Sequence, residues 1–319
     1  MKNFVLIGVA GYIAPRHMKA IRETGNRMVA ALDKNDSAGI IDSYFPEADF
    51  FVEFERFDRH AEKMKRLGPE KRIHYVSIAS PNYLHDAHIR FSLRIGADAI
   101  CEKPLVLAPW NVDALKEMEE ESGKNVNAIL QLRLHPAIRE LKTRVDSELG
   151  SRKADVDLTY ITSRGRWYLI SWKGNIDKSG GIAANIGVHF FDMLQWIFGK
   201  VQKSTVHLSR PTKAAGILEL ERARIRWFLS IDRQDLPEAA KAGGKTTYRS
   251  VTIDGKEIEF SDGFADLHTI SYERILAGNG FSLDDARPSI ETVYEIGNAK
   301  ETPMRGEYHP FLINLKRGT

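Results

Sequence analysis

The stretch Phe4-Val5-Leu6-Ile7-Gly8-Val9-Ala10-Gly11-Tyr12-Ile13-Ala14-Pro15-Arg16-His17 decides how this chain is read. The apolar run from Phe4 to Val9 suits a strand buried on both faces. Pro15 can open a helix and Gly25 can close it. A strand, a glycine turn and a helix in that order bring backbone N–H groups and a helix N-terminus against an anion such as a pyrophosphate. The spacing is Gly-x-x-Gly-x-x-Ala, with Tyr12 and Ile13 inside the turn. The same start faintly resembles a secretory leader. Its apolar run is broken by Gly8 and Gly11 and leads into Pro15-Arg16-His17, which a buried strand explains better.

Working outward, Met28 to Leu32 is a second strand that ends at Asp33. An acidic residue there can accept hydrogen bonds from a ribose diol and repel a 2′-phosphate, which favours NAD over NADP. Lys34 beside it weakens that preference, and a tight turn with a solvated aspartate is the plain alternative. Strands are expected at 50–52, 73–79, 97–101 and 126–132, with helices at 57–67, 83–95 and 109–122 between them. Repeated β-α-β units mean a parallel sheet covered on both faces. The pattern then changes. Helices at 137–149 and 182–198 accompany strands at 156–162, 205–209, 217–221, 224–231, 248–253 and 257–260. Asp254-Gly255 is a hairpin signal, and 234–245 reads as a mobile loop. The fold class is α/β: a doubly wound Rossmann domain at 1–128 and an α+β domain with an open, mostly antiparallel sheet at 129–319.

The chain has 319 residues, 46 Lys and Arg against 43 Asp and Glu, and 43% hydrophobic residues. This is ordinary for a globular protein, and near-neutral charge argues against a dedicated nucleic-acid binder. No apolar run approaches the roughly 18 residues of a membrane span. Cys101 is the only cysteine, so an intramolecular disulfide and a Cys-based zinc site are excluded and a cytoplasmic setting is expected.

Ser80-Pro81-Asn82-Tyr83-Leu84-His85 and Glu102-Lys103-Pro104 each follow an expected parallel strand. Open α/β sheets bind ligands at these carboxyl ends. Lys103 there can touch a reacting hydroxyl, and burial near a positive nicotinamide would lower its pKa toward use as a base. Composition alone makes it a surface lysine. Lys103-Pro104 is a candidate cis bond, although trans is the commoner state. Farther on, Asn185, His189 and Asp192 stand at i, i+4 and i+7 and would share one helix face. His189 can act as a general acid/base or orient a hydroxyl; a satisfied internal hydrogen-bond network is the alternative. No metal is expected, because asparagine is a poor partner for a divalent catalytic ion. Arg133 leaves the last Rossmann strand. Tyr160, Arg164, Arg166, Trp167, Tyr168, Trp172 and Lys173 crowd one stretch. Cations among aromatics suit a ligand with negative charge and a flat ring, and an exposed strand end is the bland reading.

Together, the glycine turn with His17, Asp33, Ser80-Pro81-Asn82 with His85, Glu102-Lys103-Pro104, and Gly180 to Asp192 resemble the Gfo/Idh/MocA family of NAD(P)-dependent oxidoreductases. The resemblance runs over most of the chain. It implies a Rossmann domain, a second domain whose sheet packs face to face into dimers or tetramers in many members, and NAD held by Gly8, Gly11, Tyr12, Ile13, Asp33, Ser80, Pro81, Asn82, His85, Glu102 and Lys103. Many members carry Asp where Asn185 stands. Asparagine bears no charge, which shifts weight from a charged Asp-His relay toward Lys103 as proton acceptor.

The segments 10–17, 130–133, 165–168 and 185–192 resemble the branch of UDP-N-acetylglucosaminuronate 3-dehydrogenases (WlbA/WbpB), which accepts Asn at that position. The branch implies oxidation of a sugar C3 hydroxyl on the way to bacterial surface polysaccharides such as O-antigen lipopolysaccharide. Some of its members recycle NADH in place with 2-oxoglutarate. Lys103 and His189 are then the catalytic pair, and Arg133, Tyr160, Arg164, Lys173 and Asn185 the substrate contacts. Two alternatives stand beside this: a dehydrogenase of a free sugar or cyclitol, and a non-catalytic, dinucleotide-responsive regulatory protein.

Overall fold

The computed structural model describes residues 1–150, 152–258 and 266–316, with side chains described as far as residue 313. The chain forms two compact units, Met1–Leu134 with Ala265–Arg287, and His135–Phe264 with Pro288–Thr319.

The first unit carries β1 (Asn3–Ile7), α1 (Ala14–Glu23), β2 (Arg27–Leu32), β3 (Asp49–Phe51), α2 (Phe54–Arg66), β4 (Tyr75–Ile78), α3 (His85–Arg94), β5 (Asp98–Cys101), α4 (Pro109–Ser122) and β6 (Val126–Ala128). The sheet order is β3-β2-β1-β4-β5-β6, and every pairing is parallel. The order reverses between β1 and β4, and that crevice is where such sheets bind ligands. All five residues of β1 are buried, because helices cover both sheet faces. Leu6, Val9, Met18, Ala31 and Ile41 pack in one cluster. Phe4, Ile21, Ile100 and Ile129 pack in another, with Tyr272 and Ile275.

The second unit holds α5 (Pro136–Glu148), β7 (Ala154–Thr162), the short helices α6 (Trp167–Ile170) and α7 (Ile176–Ser179), α8 (Val188–Phe198), β8 (Val201–Arg210), β9 (Lys213–Leu220), β10 (Ala223–Ser230), α9 (Glu238–Ala242), β11 (Thr247–Ile253) and β12 (Lys256–Glu257). Its sheet order is β12-β11-β7-β10-β9-β8. The β10–β7 pair is parallel and the other pairs are antiparallel. Asp254 and Gly255 both have positive φ, 49° and 78°. That is the type I′ geometry that joins two antiparallel strands without splaying them. Three more helices close the chain: α10 (Leu267–Leu276), α11 (Leu283–Asn298) and α12 (Phe311–Lys316).

The structure departs from the expectations at four places. The second part is not continuous: residues 265–287 count with the first unit, where α10 lies against α1. The last Rossmann strand stops at Ala128, and Gln131–Leu134 form a 3₁₀ turn instead of continuing it. The loop expected at 234–245 contains α9, seated by buried Leu236 and Ala240. The helix expected at 182–198 opens as a π segment, Ala183–Gly187, before α8. Of the strand expected at 257–260, residues 259 and 260 lie outside the described residues.

Candidate active site

The glycine turn is set by one close approach. Gly8 has φ +91°, and a Cβ there would sit 2.6 Å from the carbonyl carbon and oxygen of Ala79 and 2.7 Å from the Ser80 nitrogen. Only glycine lets the end of β1 pass this close to the end of β4. The turn closes with Gly11 N–H donating to the Gly8 carbonyl at 3.0 Å. Helix α1 starts without a side-chain cap and with no acidic residue in its first turn, so its N-terminal dipole favours an anion. Asp33 ends β2 and accepts from the Ala10 N–H at 3.0 Å through Oδ2. The acidic group is thereby tied to the turn, half-buried. Tyr12 is 91% exposed beside it. A glycine cradle that a Cβ would fill, an uncapped helix start and a fixed carboxylate together fit a dinucleotide.

On the other side of the crevice, Ser80, Asn82 and His85 are buried. The His85 ring bridges two loops: Nδ1 lies 2.8 Å from the Pro104 carbonyl and Nε2 lies 2.8 Å from the Ser80 carbonyl. Burial pushes its pKa below the ordinary histidine range, and the two carbonyls pull the other way. Ser80 Oγ pairs with His88 Nδ1 at 2.8 Å. His85 therefore fixes the Ser-Pro-Asn turn to the Glu-Lys-Pro turn, and both its nitrogens are engaged with protein.

The Lys103–Pro104 peptide is cis. Lys103 is half-buried. Burial draws its ammonium down from the ordinary lysine range; the Glu102 carboxylate opposes this and Arg16 adds to it. Both downward influences favour the neutral amine, the form that can accept a proton. Cys101 is buried, and burial raises its thiol well above the ordinary range. It is a packed strand residue.

Glu102 sits in a cluster that the sequence reading missed. Its Oε1 lies 3.1 Å from His17 Nε2 and 2.8 Å from His268 Nε2. His17 Nδ1 lies 2.7 Å from the Tyr272 hydroxyl, which is 2.6 Å from Ser77 Oγ. Histidine donors hold the Glu102 carboxyl well below the usual carboxylate range against the opposing effect of burial. His17, Glu102 and His268 are also, among the described residues, a group whose geometry could hold a metal. Here one carboxylate oxygen already accepts from both rings, and the second His17 nitrogen already meets Tyr272. The hydrogen bonds account for these atoms without a cation. The one available signal was His268 and Tyr272 at i, i+4 spacing.

In the second unit, Asn185 lies in the π segment and His189 opens α8; both are half-buried. The π bonding pattern adds a residue to the turn, which offsets Asn185 from the row that an uninterrupted α-helix would give. Asp192, expected on the same stripe, is buried. The Asn185 amide donates to the hydroxyl of buried Tyr168. Gly187 seats the helix on the sheet: a Cβ there would lie 2.6 Å from Leu229 Cδ1 and 2.8 Å from the Phe191 ring. Tyr160 is opposite Arg249 in the β11–β7 ladder, and its ring centroid is 4.8 Å from that of Phe190.

Arg164 is exposed and lines an open cavity of about 650 Å³ with Arg166, Arg233, Lys241 and Asp232. Lys173 Nζ stands 3.9 Å above the Trp172 ring. Arg133, expected from sequence as a substrate contact, lies in the 3₁₀ turn that follows the last Rossmann strand. It is buried, donates to the Asp285 carbonyl at 2.7 Å and the Asp285 carboxylate at 3.2 Å, and covers Phe281. It ties the 3₁₀ turn to the start of α11.

Comparison with known proteins agrees with this geometry. Residues 2–129 match the family model of the oxidoreductase family with NAD-binding Rossmann fold, and residues 151–269 match its C-terminal alpha/beta domain. The WlbA (WbpB) dehydrogenase from Thermus thermophilus, solved with NAD and α-ketoglutarate, is 50% identical. That match has TM-score 0.94 and covers 98% of this chain and 100% of that one. Its structure with NAD and UDP-GlcNAcA gives 49% identity and TM-score 0.93, with the same coverage. Among curated proteins, the putative oxidoreductase YteT of Bacillus subtilis is 28% identical over 207 residues, which is 63% of this chain but 47% of YteT. The matched stretch is thus about half the length of that relative. No helix among the described residues is long and apolar enough to cross a membrane. Two family models that between them cover most of both units, on a parallel sheet of order β3-β2-β1-β4-β5-β6 and a mixed second sheet, place this chain in the Gfo/Idh/MocA oxidoreductase family, with an NAD-binding Rossmann domain at its N-terminal end.

Proposed function

We propose that this protein oxidises the C3 hydroxyl of UDP-N-acetylglucosaminuronate to a ketone with NAD. The observation that carries this reading is the 49–50% identity, over nearly the whole chain, to a dehydrogenase solved with NAD and that sugar nucleotide. NAD supplies the two-electron acceptor. Gly8, Gly11 and the start of α1 receive its pyrophosphate, and Asp33 receives the adenosine ribose. Lys103 in its neutral form takes the C3 hydroxyl proton while hydride leaves C3. Asn185, oriented by Tyr168, and His189 hold the sugar hydroxyls, and Tyr160, Arg164 and Lys173 contact the substrate. Arg133, whose guanidinium is also held by Asp285, is a further substrate contact in this reading. The protein's main task is to hold C3 at hydride-transfer distance.

The Thermus thermophilus complex with α-ketoglutarate favours a second half-reaction. NADH and a proton reduce 2-oxoglutarate to 2-hydroxyglutarate, and NAD is regenerated in place. The setting that fits is cytoplasmic assembly of a surface polysaccharide, by a homodimer or homotetramer.

The test is mass spectrometry of UDP-N-acetylglucosaminuronate incubated with NAD, with and without 2-oxoglutarate, with the ketone trapped by a hydrazine. Loss of two hydrogens, absent in Lys103→Met, is expected. An intact substrate with NAD binding confirmed overturns the assignment and moves attention to free sugars or a regulatory role.

A further inference from the structure

Glu102, His17, His268, Tyr272 and Ser77 come from four separate chain segments and form one continuous buried network. Its protons can be placed. Ser77 donates to Tyr272, Tyr272 donates to His17 Nδ1, and His17 Nε2–H and His268 Nε2–H both donate to Glu102 Oε1. Tyr272 donating to Nδ1 leaves the His17 ring neutral, and the Glu102 carboxyl, held well below the usual carboxylate range, is charged. The other carboxylate oxygen, Oε2, accepts the Lys103 backbone N–H at 3.3 Å. The carboxylate is therefore held in a fixed place at the Lys103 backbone, and its charge acts on the Lys103 ammonium.

We propose that this network is the counter-charge for Lys103, and that His268 and Tyr272 of α10 are positioning residues for the proton transfer it performs. The idea rests on the reading of Lys103 as proton acceptor. When Lys103 takes the hydroxyl proton it becomes an ammonium, and a carboxylate that is already oriented stabilises it without rearrangement. This gives a chemical reason for α10 to belong to the first unit. The groups facing the pair are Arg16 and His17 from α1, His85 from α3, Cys101 from β5, and His268 and Tyr272 from α10. Of these, Arg16 alone carries a fixed positive charge toward Lys103.

The test uses the full chain and the variants Glu102→Gln, His268→Leu and His268→Gln. Two readouts are taken: the pH profile of kcat/KM, and the pH dependence of Lys103 labelling by acetic anhydride, followed by peptide mass mapping. The second needs no turnover, so it stands even if the sugar assignment fails. Loss of a nearby opposite charge lowers a lysine pKa by about one unit or more. A base must be neutral to act, so the rising limb of the profile and the labelling midpoint both move to lower pH in Glu102→Gln by about one unit. His268→Leu is expected to lower kcat at least about tenfold with KM for NAD unchanged, a barrier change of about 1.4 kcal/mol. His268→Gln, which can present an N–H near the same place, is expected to recover most of that loss. An unmoved labelling midpoint in Glu102→Gln overturns the proposal, and so does a His268→Gln variant as slow as His268→Leu. If His268→Leu does not fold, the labelling midpoint of Glu102→Gln decides. No turnover by the unmodified chain, with the labelling shift intact, overturns the sugar assignment and leaves the network standing.

Discussion

A methyl group at Gly8 has nowhere to go. The position combines φ +91° with backbone atoms of Ala79 2.6 Å from the place a Cβ would occupy. Gly25 provides the control: its φ is +71°, and nothing lies within 4 Å of its Cβ position. Both replacements by alanine carry the cost of a left-handed backbone, about 1–2 kcal/mol. Only Gly8→Ala adds the overlap, about 1–3 kcal/mol for forcing an extra carbon into packed structure. The difference between the two variants is therefore about 2 kcal/mol. For a unit of this size that is about 4–8 °C in melting temperature at about 2–4 °C per kcal/mol. If the turn moves aside instead, the loss appears in the cofactor, because the moved backbone is the backbone that meets the pyrophosphate. About 2 kcal/mol corresponds to a roughly thirtyfold weaker Kd for NAD. Differential scanning fluorimetry and calorimetric titration of NAD on both variants measure the two outcomes. Gly8→Ala matching Gly25→Ala in both melting temperature and NAD affinity would refute the close-approach argument.

Two further outcomes follow from the geometry. Asp33→Asn keeps an acceptor for the Ala10 N–H and removes the charge that repels a 2′-phosphate. The ratio of NADP to NAD dissociation constants is expected to fall about tenfold or more, and an unchanged ratio removes Asp33 from the specificity account. Buried His88 and His309 are each pushed down to about 4, mainly by burial. A histidine whose folded pKa is lowered contributes stability above its unfolded value near 6.5, and that stability is lost as pH falls toward 4. Glu102, also depressed, adds a loss that begins below its unfolded value near 4.5. The melting temperature is expected to fall steadily from pH 6.5 to 4, by the equivalent of about 2–3 kcal/mol for each of the two histidines. A flat melting curve over that range contradicts the assigned neutral state of these rings.

The first unit was legible because its signals are local. A strand buried on both faces is a continuous apolar run, and its neighbours are fixed by glycine and proline at their ends. Pro109–Ser122 forms the helix expected there, closed by Gly123 in the left-handed conformation at φ 61°. Asp254-Gly255 made its hairpin for the same reason, since few residue pairs accept two positive φ values. The candidate site was legible where motif and strand end coincide, at Gly8, Asp33 and Lys103. It was not legible where a side chain's partner is remote. Arg133 reads in sequence as a ligand contact, and only the structure shows that its guanidinium also meets Asp285. Spacing made Asn185, His189 and Asp192 a stripe, and the π segment altered that register.

What the residues alone determined is the alternation of strand and helix, the glycine cradle, and the acidic and lysine strand ends that make this a dinucleotide oxidoreductase of recognisable family. These depend on backbone preferences and on periodicity within a dozen residues. The tertiary structure alone decided that α10 belongs to the first unit, that β10 runs parallel to β7, and that Glu102 meets His268, 166 positions away. Hydrogen bonds between distant segments leave no periodic trace in a sequence, because either partner would look the same beside any other donor or acceptor. Their pairing is settled only when the packing of apolar faces such as Phe4, Ile21, Tyr272 and Ile275 brings the backbones together.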